Sequence, residues 1–294
     1  MAFELNLRAP FGEQLREFSE LKIRHAANLL SLANGDADEA VHDTRKLMKR
    51  LRALLRLIRS TLRKQQFQLL DRAAADTSRC LSGPREARAT RDCLTTVVPD
   101  LLLVLPHDTV HGLGQSLEDT LLESGLEDKL DGARAQLAHL AEAFADVAWE
   151  AVSLEQALDG LAITYKRARR SHQACHGSSH AEVFHDLRKG VKHHTHQLQL
   201  FRDLWPAWVE AHGETARTLG DLLGSDHDLS DLQLRISDGR LGLSPQERLA
   251  VEGVLRARSQ LLRAEASPLR ARLFAESARA FRKRTGAYAR AAST

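Results

Sequence analysis

The sequence predicts an all-α fold, and three observations carry that expectation. Ala, Leu, Arg, Glu and Gln abound, while alternating β-branched runs are nearly absent. Turn and breaker residues punctuate the chain at intervals of ordinary helix length. Where charge is concentrated it recurs every three or four residues, the period of a helix face.

The elements follow in order. A first helix is expected from about Phe11, and "ANGDAD" (33–38) separates it from a strongly basic segment at 41–60. Further breaks are expected at "SGP" (82–84), "VVPD" (97–100), "LPHD" (105–108) and "ESGLED" (123–128). A helix from about Leu154 follows, and breaks are expected at "LDG" (158–160), "HGSS" (176–179), "WPAW" (205–208), "LGSDHD" (223–228), "DGRLGLSP" (238–245) and "SP" (267–268). These divide the chain into about a dozen helical segments.

Bulk properties exclude several classes. A chain of 294 residues with 43% hydrophobic and 28% charged residues can bury a sizeable core and is not disordered. The net charge is only +3, so affinity for a polyanion must come from local concentration of charge. Three cysteines without CxxC spacing argue against disulfides and a thiolate zinc site and suit a reducing cytosol. The N-terminus lacks signal-peptide character, and the most apolar run, 94–106, is too short for a bilayer and is broken by Pro99 and Asp100. A cytoplasmic protein is expected.

The segment "VHDTRKLMKRLRALLRLIRS" (41–60) holds seven arginines and lysines and one acid. On a helix, His42, Arg45, Lys49, Arg52, Arg56 and Arg59 share one side, opposite Leu47, Leu51, Leu54, Leu55, Ile58 and Leu62. Like charges at these spacings repel by about 1–2.5 kcal/mol in all, before screening. The stripe is about 25 Å long at 1.5 Å per residue, a length suited to an extended polyanion. An arginine-rich face is more often solvated surface, so this helix alone would not decide the matter.

A second stretch changes the balance. "FHDLRKGVKHHTHQLQLFR" (184–202) aligns without gaps on 41–59, with eight of nineteen positions identical. They are His42/His185, Asp43/Asp186, Arg45/Arg188, Lys46/Lys189, Lys49/Lys192, Leu55/Leu198, Leu57/Leu200 and Arg59/Arg202, all 143 residues apart. This is an internal repeat. It predicts one chain-long domain, 1–294, made of two pseudosymmetric helical bundles, 1–151 and 152–294. Their His-containing basic helices are expected to line a shared, positively charged surface. His42 and His185 could instead be core or capping residues. Asp92 and Asp228 are more readily structural partners of a basic helix than catalysts.

With these residues in place, the chain resembles the CHAD family, the conserved histidine α-helical domain. The resemblance rests on "VHDTRKLMKRLR", "ATRDCL", "TYKRARR" (164–170), "FHDLRKGVKHHTHQLQLF" and "LGDLLGSDHDLSDL" (219–232), in that order. It implies binding of inorganic polyphosphate without catalysis and without a cofactor or metal. By position it implies phosphate contacts from His42, Arg45, Lys46, Lys49, Arg50, Arg52 and Arg56. The second repeat would supply His185, Arg188, Lys189, Lys192, His193 and His196, with Lys166, Arg169 and Arg170 from the preceding helix. Thr195 and Gln199 stand where the first repeat has Arg52 and Arg56, which predicts a weaker second half whose histidines make it more sensitive to pH. Association with polyphosphate granules would follow.

Two other classes compete. Seven of fourteen histidines lie between 172 and 196, and His172, His176, His180 or the "KHHTH" triplet could be imagined on a metal. Yet there is no HExxH and few carboxylates are near. A nucleic-acid module would also follow a basic stripe, but only 5% of residues are aromatic and none interleaves with the cations of 42–56. A membrane surface is weaker still, because the apolar face of the basic helix is committed to the core.

Overall fold

The computed structural model describes residues 5–6, 8–31, 37–121, 126–238 and 241–293. Among the described residues there are eleven α-helices and no strand. In chain order they are α1 (Phe11–Ser31), α2 (Ala37–Leu57), α3 (Lys64–Cys80), α4 (Ser82–Leu101), α5 (His107–Leu121) and α6 (Leu126–Ala145). After a 3-10 turn at Trp149–Ala151 come α7 (Leu154–Ala174), α8 (Ala181–Leu198), α9 (Pro206–Ser237), α10 (Pro245–Leu273) and α11 (Ala278–Ser293).

Local chemistry explains many of the boundaries. Ser153 caps α7 and Ser244 caps α10, each in a reciprocal capping box with the residue three positions on, Gln156 and Glu247. Pro206 and Pro245 open their helices where no N–H is needed. The expected starts at Phe11 and Leu154 are the observed ones. The expected breaks at 33–38, 123–128 and 238–245 lie partly outside the described residues.

Four expected breaks are absent. Pro99 and Pro268 both sit inside helices, α4 and α10, close to their C-terminal ends. Burial beyond them, at Leu101 and Leu273, offsets the lost backbone hydrogen bond, which costs about 3 kcal/mol. "LGSDHD" runs through the middle of α9. "LDG" runs through α7, where Gly160 meets the end of α2: a Cβ there would stand 1.8 Å from the Leu57 carbonyl oxygen. That glycine marks a close helix crossing, not a turn.

Helix packing gives two cores. α1, α2, α3 and α6 form a ring in which α1 packs on α2 and α6, and α3 packs on the same pair. α7 packs on α8 and α11, α8 on α9, and α9 on α10. Contacts of α2 with α7 and α8 join these groups, and the main core runs through both. The second core lies elsewhere. Leu94, Val97 and Leu101 of α4 and Val110 and Leu113 of α5 meet Leu232 and Ile236 of α9 and Val251 and Leu255 of α10. This core draws on both halves of the sequence, so the packing units do not follow the midpoint of the chain. Among the described residues, no helix is long and apolar enough to cross a membrane.

Candidate functional site

The apolar face expected for α2 is the observed one: Leu47, Leu51, Leu54, Leu55 and Ile58 are all buried. Its cations divide between two neighbours. One set leans over α3. Arg45 donates to the Ser78 carbonyl at 2.6 Å. Arg52 donates Nε and a terminal nitrogen to the two oxygens of Asp71 at 2.8 and 3.2 Å, and Arg56 makes a second pair of bonds to the same carboxylate at 2.7 and 3.2 Å. Burial alone would raise the Asp71 carboxyl, but these hydrogen bonds outweigh it and hold the group at about 2. Arg59 continues the clamp, donating to the Leu62 carbonyl and stacking 4.6 Å from the Phe67 ring centroid.

The other set faces α8. Gln197 of α8 is fully buried and donates its amide to the Ala53 carbonyl of α2 at 2.8 Å, which fixes the two helices side by side. His196 lies in this seam. Burial, and then the positive fields of Arg50, Lys192, Lys49 and Lys46, lower its pKa to about 3. His193 is nearer the clamp: burial, with Arg56 and Arg52, lowers it likewise to about 3. Cations from two helices therefore act on the His196 imidazole, and cations of α2 on that of His193. Both rings are neutral at physiological pH, so their hydrogen-bonding capacity, and not their charge, is what they offer a ligand.

The α8 cations also rest on α9. Lys192 pairs with Asp221 at 2.8 Å, and Gly220 leaves the space its stem occupies, since a Cβ there would come within 3.1 Å of Lys192 Cε. Arg188 runs past Gly224 of the same helix. Lys46 and Lys189 are exposed and make equivalent i,i+3 pairs with Asp43 and Asp186. His185 packs its ring 4.2 Å from that of His227 on α9, and burial followed by the His227 field lowers its pKa. In the sequence His227 stands only within the 219–232 motif, with no role assigned to it. His42 is exposed near the start of α2.

Several side-chain atoms along these helices lack partners. Among the described residues, the Nε of Arg50, the Nε of Arg188 and the Nδ1 atoms of His185, His193 and His196 are buried without a hydrogen bond. Buried polar groups in folded proteins are nearly always satisfied.

The α7 residues are a separate matter. Arg169 turns toward the C-terminal region and donates to the Phe274 carbonyl at 3.1 Å, beside Tyr165, whose single hydroxyl proton is shared between the carbonyls of Leu273 and Glu276, 3.2 and 3.1 Å away. Lys166 and Arg170 are exposed, and among the described residues no hydrogen bond or ion pair draws them to the seam. The "KHHTH" histidines also point in different directions. His194 is fully buried, with its Nε2 3.1 Å from that of His212 on α9, whereas His193 and His196 feel the α2 cations. His172 stacks on Phe274 at 5.7 Å. Among the described residues, no group of three or more His, Cys, Asp or Glu side chains is arranged to hold a metal ion.

The fold is all-helical among the described residues, and α2 and α8, each carrying arginine or lysine and histidine, pack against one another. The CHAD domain family model matches residues 22–237, and the chain belongs to that family. Among solved structures, PptA from Streptomyces chartreusis is similar in fold, with a TM-score of 0.61 and 16% identity over 91% of this chain and 100% of that one. No curated protein matches the sequence.

Proposed function

We propose that the protein binds inorganic polyphosphate along the α2–α8 seam and performs no chemistry on it. The observation that carries this reading is the position of His196, where the fields of Lys46, Lys49 and Arg50 from one helix and Lys192 from the other overlap. Assembling like charges on preformed helices is unfavourable unless an anion completes the site. A phosphate chain supplies closely spaced charges, and its bound counterions are released when the side chains replace them. It also supplies acceptors for the unpartnered nitrogens of Arg50 and Arg188 and for the imidazole N–H groups.

The contacts we assign run over His42, Arg45, Lys46, Lys49 and Arg50 on α2 and His185, Arg188, Lys189, Lys192, His193 and His196 on α8. Arg52 and Arg56 lie at the margin, because Asp71 already takes much of their charge. The family membership supports this assignment. We further propose that the chain is a duplicated unit, 1–151 and 152–294. The eight shared positions support it, as does the matching length of α1 and α7, 21 residues each with bounds 143 apart. The setting proposed is the cytoplasm, in contact with polyphosphate granules.

Calorimetric titration with polyphosphate of defined length tests the reading. Binding is expected to displace a DNA oligonucleotide at comparable phosphate concentration and to outlast ATP as salt rises. A protein that prefers the oligonucleotide, or takes up no polyphosphate at low salt, would refute it.

A further inference from the structure

α4 and α5 form a hairpin across residues 102–106, and a cleft of about 330 Å³ runs between them. It shares no lining residue with the α2–α8 seam. Its walls are apolar: Leu94, Val98 and Leu102 line the α4 side, Val110 and Leu117 the α5 side. Polar groups stand at both ends. Arg91, Thr95 and Gln115 lie at the end away from the turn, and His107 and His111 lie near it, their rings stacked at 6.5 Å. Among the described residues that line the cleft there is no carboxylate. A concave, mostly apolar site of this size with a few polar groups is typical for a small molecule. Two further observations point to an occupant. Gly114 lies in the interior of α5 with ordinary helical backbone, where glycine is less favourable than alanine. Nothing within the chain requires it, since a Cβ there would meet only Leu94 Cδ2, in ordinary contact at 3.9 Å. The glycine therefore keeps the cleft open. The apolar surface also continues past the cleft, because Leu102, Leu103 and Val104 are 42%, 83% and 52% exposed. Three consecutive exposed apolar residues are unexpected on a soluble surface unless they are used.

We propose that the α4–α5 cleft binds a small amphiphilic acid, an alkyl carboxylate, with its head at Arg91 and its chain directed toward Leu102. The charge of the lining selects the head. A carboxylate accepts two parallel N–H bonds from a guanidinium, and the Thr95 hydroxyl and Gln115 amide are further donors at the same end. A cationic head would find no carboxylate there. The walls select the tail. From Arg91 to Leu102 the helix rises about 16 Å at 1.5 Å per residue, so an extended chain lies over Leu94, Val98 and Val110. It leaves the cleft at Leu102, where the exposed Leu103 and Val104 follow in the turn. The imidazoles of His107 and His111 add ring faces to that apolar end while their polar tips stay in water. Polyphosphate has no apolar part to fill such walls, so this is a second site and not an extension of the seam.

The test titrates octanoate, 1-octanol and octylammonium into the full-length protein by calorimetry. Octanoate is expected to saturate one site and to bind at least about tenfold more tightly than the other two, the share of a charged hydrogen bond to its head. Saturating polyphosphate is expected to leave that affinity unchanged. Gly114→Leu fills the cleft and is expected to abolish octanoate binding while polyphosphate binding stays at the wild-type level. Leu102→Glu changes a partly exposed residue, so it keeps the fold even if Gly114→Leu does not, and it places a negative charge in the cleft. It is expected to reverse the preference from octanoate to octylammonium. No saturable octanoate binding by the wild-type protein, or equal binding of the three probes, would overturn the site. So would wild-type octanoate affinity in Leu102→Glu, or displacement of octanoate by polyphosphate, which would mean that the seam takes it up as a simple anion. Sedimentation showing a wild-type dimer that Leu102→Glu dissociates would also overturn it, by assigning the cleft to a second copy of the chain.

Discussion

Arg50 and Arg52 are two residues apart on α2 and meet opposite environments. Arg52 shares the carboxylate of Asp71 with Arg56 and has its fork filled. Arg50 has no carboxylate among the described residues and a buried Nε without an acceptor, and its positive field helps to lower the pKa of His196. The same contrast recurs at larger scale. Asp226, buried within α9, accepts both contacts of Arg263 Nε at 3.0 Å and a hydrogen bond from Ser259, while Arg263 stacks 4.1 Å from the Phe184 ring centroid. Clamped arginines hold helices together; Arg50, in the proposed site, has no such clamp among the described residues. Residue type alone does not separate the two roles. The position of a single acid does.

That comparison can be broken deliberately. The largest effect is expected from Asp226→Ala, which leaves Arg263 uncompensated in the interior and should cost about 3–5 kcal/mol in denaturant unfolding. Asp71→Asn should cost about 2–3 kcal/mol, less because the Arg52 and Arg56 side chains are partly solvated. In the folded variant, polyphosphate affinity should hold or rise, since two arginines are released. Weaker binding in Asp71→Asn would mean that the clamp itself holds the ligand.

Acid offers a third way in. His193 and His196 sit at about 3 and His172 and His212 at about 4, against an ordinary 6.5, with burial the leading cause in each. Their folded-state values are depressed, so the unfolded chain takes up protons first as pH falls. Stability is therefore intact above about 6.5 and lost progressively toward 4 and then 3, on the order of several kcal/mol across the set. Thermal melts against pH check this. Bound polyphosphate, by neutralising the cations around His193 and His196, should lessen the loss. The smallest effect is expected at Gly220→Ala. Its Cβ would press on the flexible end of Lys192, and should cost less than about 1 kcal/mol of stability while weakening binding severalfold.

Much of this was legible in the sequence. The helical class, the apolar face of α2 and the starts at Phe11 and Leu154 all follow from periodicity and from the placement of turn residues. Helix periodicity shows which side of α2 is polar, but not which neighbour that side meets. The stripe at 45, 52 and 56 therefore read as one open ridge, although Asp71 and the Ser78 carbonyl of α3 engage it. Glycine and proline inside α4, α7, α9 and α10 read as breaks because their local cost is visible in sequence, whereas the tertiary packing that offsets it is not.

The measurement that bears most directly on the central claim is the salt dependence of polyphosphate binding in two folded double variants. Lys49→Glu with Lys192→Glu reverses charge in the seam; Arg52→Gln with Arg56→Gln removes it from the clamp. The seam variant should lose at least about a hundredfold in affinity, with a clearly shallower plot of log K against log salt, while the clamp variant loses stability and keeps the wild-type slope. Equal slopes in the seam variant and the wild type, or a loss confined to the clamp variant, would contradict a polyphosphate site between α2 and α8.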